Sequence, residues 1–265
     1  MLPEGALKDR VAIVTGGGTG LGFAMAKEFS RVGAKLVLAS RSVEHLEPAC
    51  DEIRRAGGDA IAVTVDVRNA EQVDEMVRRA VEKWGGVDIL VNNAAGNFIC
   101  PAENLSVNGW NAVVNIVLNG TFYCSRAVGR WWIDNRRTGS ILNIVSTYAW
   151  TGGPGTVHSA SAKAGVVAMT RTLAIEWARF GIRVVAIAPG PFEGTGATDK
   201  LWVNEDVATM LKEHIPVKRF GRPEELARLA SFLVSDYAEF SNGAIVEFDA
   251  GTWLNRGIYQ NFGSK

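Results

Sequence analysis

Val11-Ala12-Ile13-Val14-Thr15-Gly16-Gly17-Gly18-Thr19-Gly20-Leu21-Gly22 decides the fold. An apolar, β-branched run ends in a glycine cluster, and a helical pattern follows through about Val32. Glycines at a first strand-to-helix turn let backbone amides approach a pyrophosphate, and the helix N-terminus adds partial positive charge. The spacing Gly16-x-x-x-Gly20-x-Gly22 differs from the commoner Gly-x-Gly-x-x-Gly, but its place in the pattern makes it a dinucleotide site. Gly16, Gly18, Thr19, Gly20 and Leu21 are its expected contacts.

Working outward, short apolar strands alternate with longer helical stretches, the signature of a parallel sheet. Further strands are expected at Lys35–Ser40, Ile61–Val65, Ile89–Asn93, Ser140–Ser146, Ile182–Ala188 and Ala244–Phe248. Between them, helices are expected at Val43–Ala56, Glu71–Trp84, Gly109–Trp132, Ser159–Phe180 and, opened by Pro223, Glu224–Val234. Strands this apolar are buried on both faces, so helices must cover both. The expectation is α/β: one Rossmann-type, doubly wound domain over residues 1–265, with about seven parallel strands. Two stretches break the rhythm. Residues 189–205 are rich in Gly, Pro and Thr beyond the sixth strand, where a lid would sit. The Gly109–Trp132 helix carries Val113, Val114, Ile116, Val117, Leu118, Phe122 and Tyr123 on more than one face, which suits either a second subunit or burial within the monomer.

Composition narrows the function classes. The 265 residues hold 28 Lys+Arg against 28 Asp+Glu, which argues against a basic nucleic-acid surface or a polybasic membrane patch. No apolar run is long enough to insert in a membrane. Cys50, Cys100 and Cys124 lack metal or redox spacing, and so do His45, His158 and His214, so no metal is expected. Met1-Leu2-Pro3-Glu4-Gly5 does not read as a signal peptide, and Gly263-Ser264-Lys265 is not a peroxisomal address. The expected setting is a reducing, cytoplasmic one.

The second strand ends in Ser40-Arg41, without the acid that grips a ribose 2′-hydroxyl in NAD sites. A serine and an arginine suit a 2′-phosphate, so NADPH is the expected cofactor. Asp66 follows the third strand, where it can accept from the adenine amino group or cap a helix near Asn69.

Over almost its whole length the chain resembles the short-chain dehydrogenase/reductase family. The resemblance rests on Thr15 to Gly22, Asn92-Asn93-Ala94-Ala95-Gly96, Ser146, Lys163 and Pro189-Gly190-Pro191. It implies that Val67, Asn93, Pro189, Gly190 and Phe192 also line the cofactor. Two expected catalytic groups are missing: Ser159 stands where the family's Tyr-x-x-x-Lys has tyrosine, and Val117 where it has asparagine. A serine alcohol is a far poorer acid than a phenol. Tyr148, two residues beyond Ser146, is a replacement that strand alternation would turn into the same cleft. Asn97 adds an amide donor.

Two neutral donors converging on one oxygen make an oxyanion hole, which suits a conjugated thioester better than a ketone. Asn97-Phe98, Ser146-Thr147-Tyr148-Ala149 and Ser159-Ala160-Ser161-Ala162-Lys163 are similar to the NADPH-dependent 2,4-dienoyl-CoA reductases of this family. That resemblance implies that Tyr148 and Asn97 hold the thioester oxygen of an acyl-CoA, Lys163 orders the nicotinamide ribose, and Ser159 lies in the substrate pocket. Hydride goes to C5 and a proton to the α-carbon, giving a 3-enoyl-CoA within unsaturated fatty acid β-oxidation. Arg41, Arg68, Phe98, Ser106 and Lys200 match positions that contact CoA or acyl groups, and a homotetramer is expected. The alternatives are a reductase of ketones or 3-oxoacyl thioesters, and a non-catalytic NADPH-binding sensor.

Overall fold

The computed structural model describes residues 2–195 and 205–255. Seven strands form one all-parallel sheet: β1 (Val11–Thr15), β2 (Lys35–Ser40), β3 (Asp59–Thr64), β4 (Ile89–Asn92), β5 (Gly139–Ile144), β6 (Ile182–Pro189) and β7 (Ile245–Phe248). Their order is β3-β2-β1-β4-β5-β6-β7. The winding reverses between β1 and β4, which opens the crevice where such sheets bind ligands.

Alternation along each strand builds two cores. Ile13, Val37, Leu90 and Ile141 face the helices α3 (Ala70–Trp84), α5 (Gly120–Asp134) and α7 (Val157–Trp177). Val14, Leu36, Leu38, Val91 and Val185 face α1 (Gly20–Arg31), α2 (Val43–Arg55) and α9 (Pro223–Val234). Every residue of β1 is buried. The backbone polar groups of such a strand are satisfied only by its neighbours, so the sheet cannot be opened cheaply.

The long helix expected over Gly109–Trp132 is interrupted. It comprises α4 (Val107–Val114), a π-helical turn at Asn115–Asn119, and α5. Gly120 lets α5 begin against β3's exit, since a Cβ there would lie 2.7 Å from Val67 Cγ2. Val113 and Val117 are buried, and Val114, Ile116, Leu118 and Tyr123 pack against the cores. Phe122 alone of the seven is exposed. Most of the helix's surplus apolar surface is thus used within the chain. Strand alternation does not carry Tyr148 either: β5 ends at Ile144, and Tyr148–Thr151 forms a single helical turn, α6. Sequence periodicity also misses short turns at Ala102–Asn104, Asp236–Ser241 and Thr252–Leu254, and the helix α8 (Glu205–His214) beyond the expected lid. The lid's 196–204 portion, with Lys200, lies outside the described residues.

Trp132 is the largest fully buried side chain, and its indole N–H donates to the Val87 carbonyl at 2.7 Å. Trp132→Ala should lower stability to urea by about 3–5 kcal/mol. A loss under about 1 kcal/mol would contradict that packing.

Candidate active site

The cofactor cradle is made by backbone. Gly16 and Gly20 have φ of 64° and 53°, which only glycine adopts freely. A Cβ on Gly22 would sit 2.1 Å from the Gly16 carbonyl oxygen, so helix and turn touch without side chains. Thr19 caps α1 but makes no side-chain cap bond, so the helix amides keep their capacity for an anion. Asn93 braces the cradle: its Nδ2 donates to the carbonyls of Thr15 (3.0 Å) and Gly16 (3.2 Å). Asn92 is likewise structural, joining Ser125 and Asn143 in the buried sheet. Leu21 packs against the α1–α9 core.

At the end of β2, Ser40 Oγ accepts from the Ser42 amide at 3.3 Å. Arg41 is exposed and has no ion pair among the described residues, so its guanidinium is available. Asp66 does not cap α3; Asn69 does, accepting from the amides of Glu71 and Gln72. Instead Asp66 chelates Arg68, which holds its carboxyl below the usual range. Both residues are therefore engaged with each other before any ligand arrives. Val67 is buried between them. Beyond β6, which Pro189 closes, the Gly190 amide donates to the Phe248 carbonyl at 3.1 Å, and Phe192 stacks on Phe248. The glycine cradle, open helix terminus and free arginine fit a phosphorylated dinucleotide.

Lys163 is buried on α7, and its ammonium donates to the Ile144 carbonyl at the end of β5. With burial unopposed by any acid, its pKa is pushed down to about 8. Val117 is 1% exposed and packs with Val145, Ala162 and Val166, making this side of the lysine apolar.

The two candidate donors are each held by one contact. Tyr148 Oη lies 3.0 Å from Ser159 Oγ. The phenol thus returns, from a different element, to the place on α7 where the related Tyr-x-x-x-Lys pattern carries its own. Asn97 Oδ1 accepts the Phe98 amide at 2.9 Å, which leaves the Asn97 amide N–H groups as the free end. Ser146 Oγ is buried and has no partner among the described residues.

Other expected contacts are occupied differently. Ser106 is the N-cap of α4, accepting from the Gly109 amide at 3.0 Å. Phe98 is half-exposed, its ring in an edge-type contact with that of His158. Cys50 and Cys124 are thiols pushed up to about 11 and 12 by burial, and the described residues hold no metal-ligating cluster.

Against known proteins, the family profile described as Enoyl-(Acyl carrier protein) reductase matches residues 16–252. A crystal structure of a short chain dehydrogenase from Bacillus anthracis superposes with a TM-score of 0.87 at 50% identity, covering 94% of this chain and 99% of that one. The chain belongs to the short-chain dehydrogenase/reductase family. Among relatives of this family, a Bacillus subtilis protein is 48% identical over 94% of this chain and 98% of its own length. It is named a probable 2,4-dienoyl-CoA reductase, (2E)-enoyl-CoA-producing. A Caenorhabditis elegans protein, 42% identical over 95% of this chain and 82% of its own, is named a probable 2,4-dienoyl-CoA reductase, (3E)-enoyl-CoA-producing. A Beutenbergia cavernae protein described as an NAD(P) dependent gluconate 5-dehydrogenase, with bound NADP at low occupancy, has a TM-score of 0.87 at 34% identity, covering 94% of this chain and 98% of that one. The short-chain dehydrogenase/reductase fold here is that of an oxidoreductase using a nicotinamide cofactor.

Sequence reasoning did not single out the Tyr148–Ser159 contact or the role of Ser106 as a cap. The second had a visible signal in Ser106-x-x-Gly109 ahead of an apolar run. Because Lys163 is charged below about pH 8 and neutral above it, affinity for a nicotinamide cofactor should weaken as pH rises through that value if the lysine holds the cofactor. Fluorescence titration should show this slope in the wild type and a flat profile in Lys163→Met.

Proposed function

We propose that the chain is an NADPH-dependent 2,4-dienoyl-CoA reductase acting in unsaturated fatty acid β-oxidation. The observation that carries this reading is the relocated phenol: Tyr148 Oη at Ser159, on the lysine-bearing helix, with an outward amide on Asn97. Two donors directed at one oxygen suit an oxygen that gathers charge through a conjugated chain. The reduced nicotinamide supplies a hydride to C5 of the dienoyl group. Tyr148 and Asn97 hold the thioester oxygen while charge resides there, with Ser159 donating to the phenol and so freeing the phenolic proton for substrate. Lys163 positions the nicotinamide ribose, and the dry wall at Val117 keeps water from that side. Protonation at the α-carbon then gives a 3-enoyl-CoA. Protonation at C4 would give the 2-enoyl isomer that the B. subtilis relative's name carries, so the product must be identified directly.

Arg41 selects the 2′-phosphate, and Arg41, Arg68, Phe98 and Ser106 contact the CoA thioester. Arg68 reaches CoA only by leaving Asp66. A cytoplasmic homotetramer completes the proposal. Apolar side chains left exposed, such as Ile175 on α7 and Phe240 after α9, support assembly, and light scattering of the purified protein tests it.

Stoichiometric NADPH oxidation with a medium-chain 2,4-dienoyl-CoA, and a 3-enoyl-CoA identified by NMR, is the expected result. Tyr148→Phe and Asn97→Ala should each lower kcat by about 10²–10³-fold, the usual cost of one oxyanion donor, while NADPH still binds. Turnover near wild type in both variants, or faster reduction of acetoacetyl-CoA, would reject the mechanism. Arg41→Ala should weaken NADPH by about tenfold or more and leave NADH unchanged, as expected for one charge-assisted contact.

A further inference from the structure

His158 is completely buried one residue before Ser159, yet neither ring nitrogen has a hydrogen-bond partner among the described residues. Burial pushes its pKa down, while backbone groups of Thr156 and Phe98 pull the other way without reaching hydrogen-bond geometry with the ring. An orphaned buried polar group is costly, and nothing in the hydride-transfer chemistry requires this one.

Its surroundings supply a reason. The ring meets the Phe98 ring edge-on, with centroids 4.5 Å apart and planes at 62°. On another side, Phe98 lies against Gly109, where a Cβ would come within 3.1 Å of Phe98 Cζ. The same loop is tied to the start of α7 by the Cys100 amide, which donates to the Gly155 carbonyl at 3.0 Å. Gly155 has φ of 72°, and a Cβ there would meet Ile99 Cγ2 at 2.8 Å. Phe98 is therefore clamped, and its amide in turn fixes the Asn97 side chain.

We infer that His158 is a positioning residue: through the contact between the two rings it holds Phe98, and through Phe98 it aims the amide of Asn97. Adjacent residues on one helix then set the two donors, His158 through packing and Ser159 through its bond to Tyr148. The separation between the donors is fixed by a single peptide unit of α7, a rigid element, although both donors lie outside that helix. The inference extends the dienoyl-CoA reading, because it assigns work to Asn97.

A double-mutant cycle tests it. His158→Ala should lower kcat by about tenfold to a hundredfold, as for a small displacement of a catalytic group, with the NADPH Kd unchanged. In the Asn97→Ala background the same change should cost less than about threefold, because the group it aims is gone. His158→Phe, which keeps the edge and removes the orphaned nitrogens, should restore turnover to within about threefold of wild type, the spread of ordinary context effects. An equal loss from His158→Ala in both backgrounds would overturn the inference, as would a His158→Phe enzyme no better than His158→Ala.

Amide exchange separates this from the fate of the functional reading. If the wild type does not turn over dienoyl-CoA, the functional reading fails, and exchange at Phe98 and Cys100 decides the clamp alone. Faster exchange at both amides in His158→Ala but not in His158→Phe upholds it. Unchanged exchange in His158→Ala overturns it.

Discussion

One buried hydroxyl ties together the two strands between which the whole site opens. Thr15 Oγ1, 1% exposed at the end of β1, donates to the Val91 carbonyl and accepts the amides of Asn93 and Ala94. Beyond β1 the chain becomes the glycine cradle, and beyond β4 it becomes the loop bearing Asn97. In a parallel sheet neighbouring strands are free to diverge past their last ladder bond, and the point of divergence is where ligands enter. Three bonds to one oxygen set how far these two separate. A valine of similar shape would leave two amides and a carbonyl unsatisfied in an apolar wedge, the costly side of hydrogen-bond energetics.

The polar groups around the crevice obey two different rules. Beyond β2 and β3, charge is exposed and prepaired: Arg68 on Asp66, with Arg41 nearby and in no ion pair among the described residues. Such pairs exchange partners easily in water, since each contributes little to stability. Beside the end of β5, charge is buried and unpaired by acid: Lys163 donates to a carbonyl, while burial lowers its pKa. The first arrangement adapts to an arriving ligand. The second is ready before it arrives.

The sheet was legible because its strands are short apolar runs bounded by glycine or polar residues, and the order of alternation left one architecture. The cradle, Ser40-Arg41 and Lys163 were legible because backbone and charge requirements restrict the residue types allowed there. The break in the long helix was not. Ile116-Val117-Leu118 has the same apolar period in an α-helical or a π-helical turn, so composition carries no sign of the change. Tyr148 was expected to reach the cleft by strand alternation, but alternation stops at Ile144 and the side chain is carried by α6. Asp66 and Arg68 looked like separate ligand contacts because two-residue spacing on a loop does not announce an ion pair. His158, beside a Ser-x-x-x-Lys pattern and lacking metal spacing, offered no signal until its ring was seen against Phe98.

The displaced phenol also constrains how this chain relates to relatives with tyrosine on the helix. With Tyr148 Oη 3.0 Å from Ser159 Oγ, the volume beyond Ser159 is already filled. A tyrosine at position 159 would drive its ring through the place that Tyr148 occupies, so the two arrangements exclude each other. The small side chain at 159 is therefore a condition of where the Tyr148 ring lies, and the two positions constrain each other as a pair.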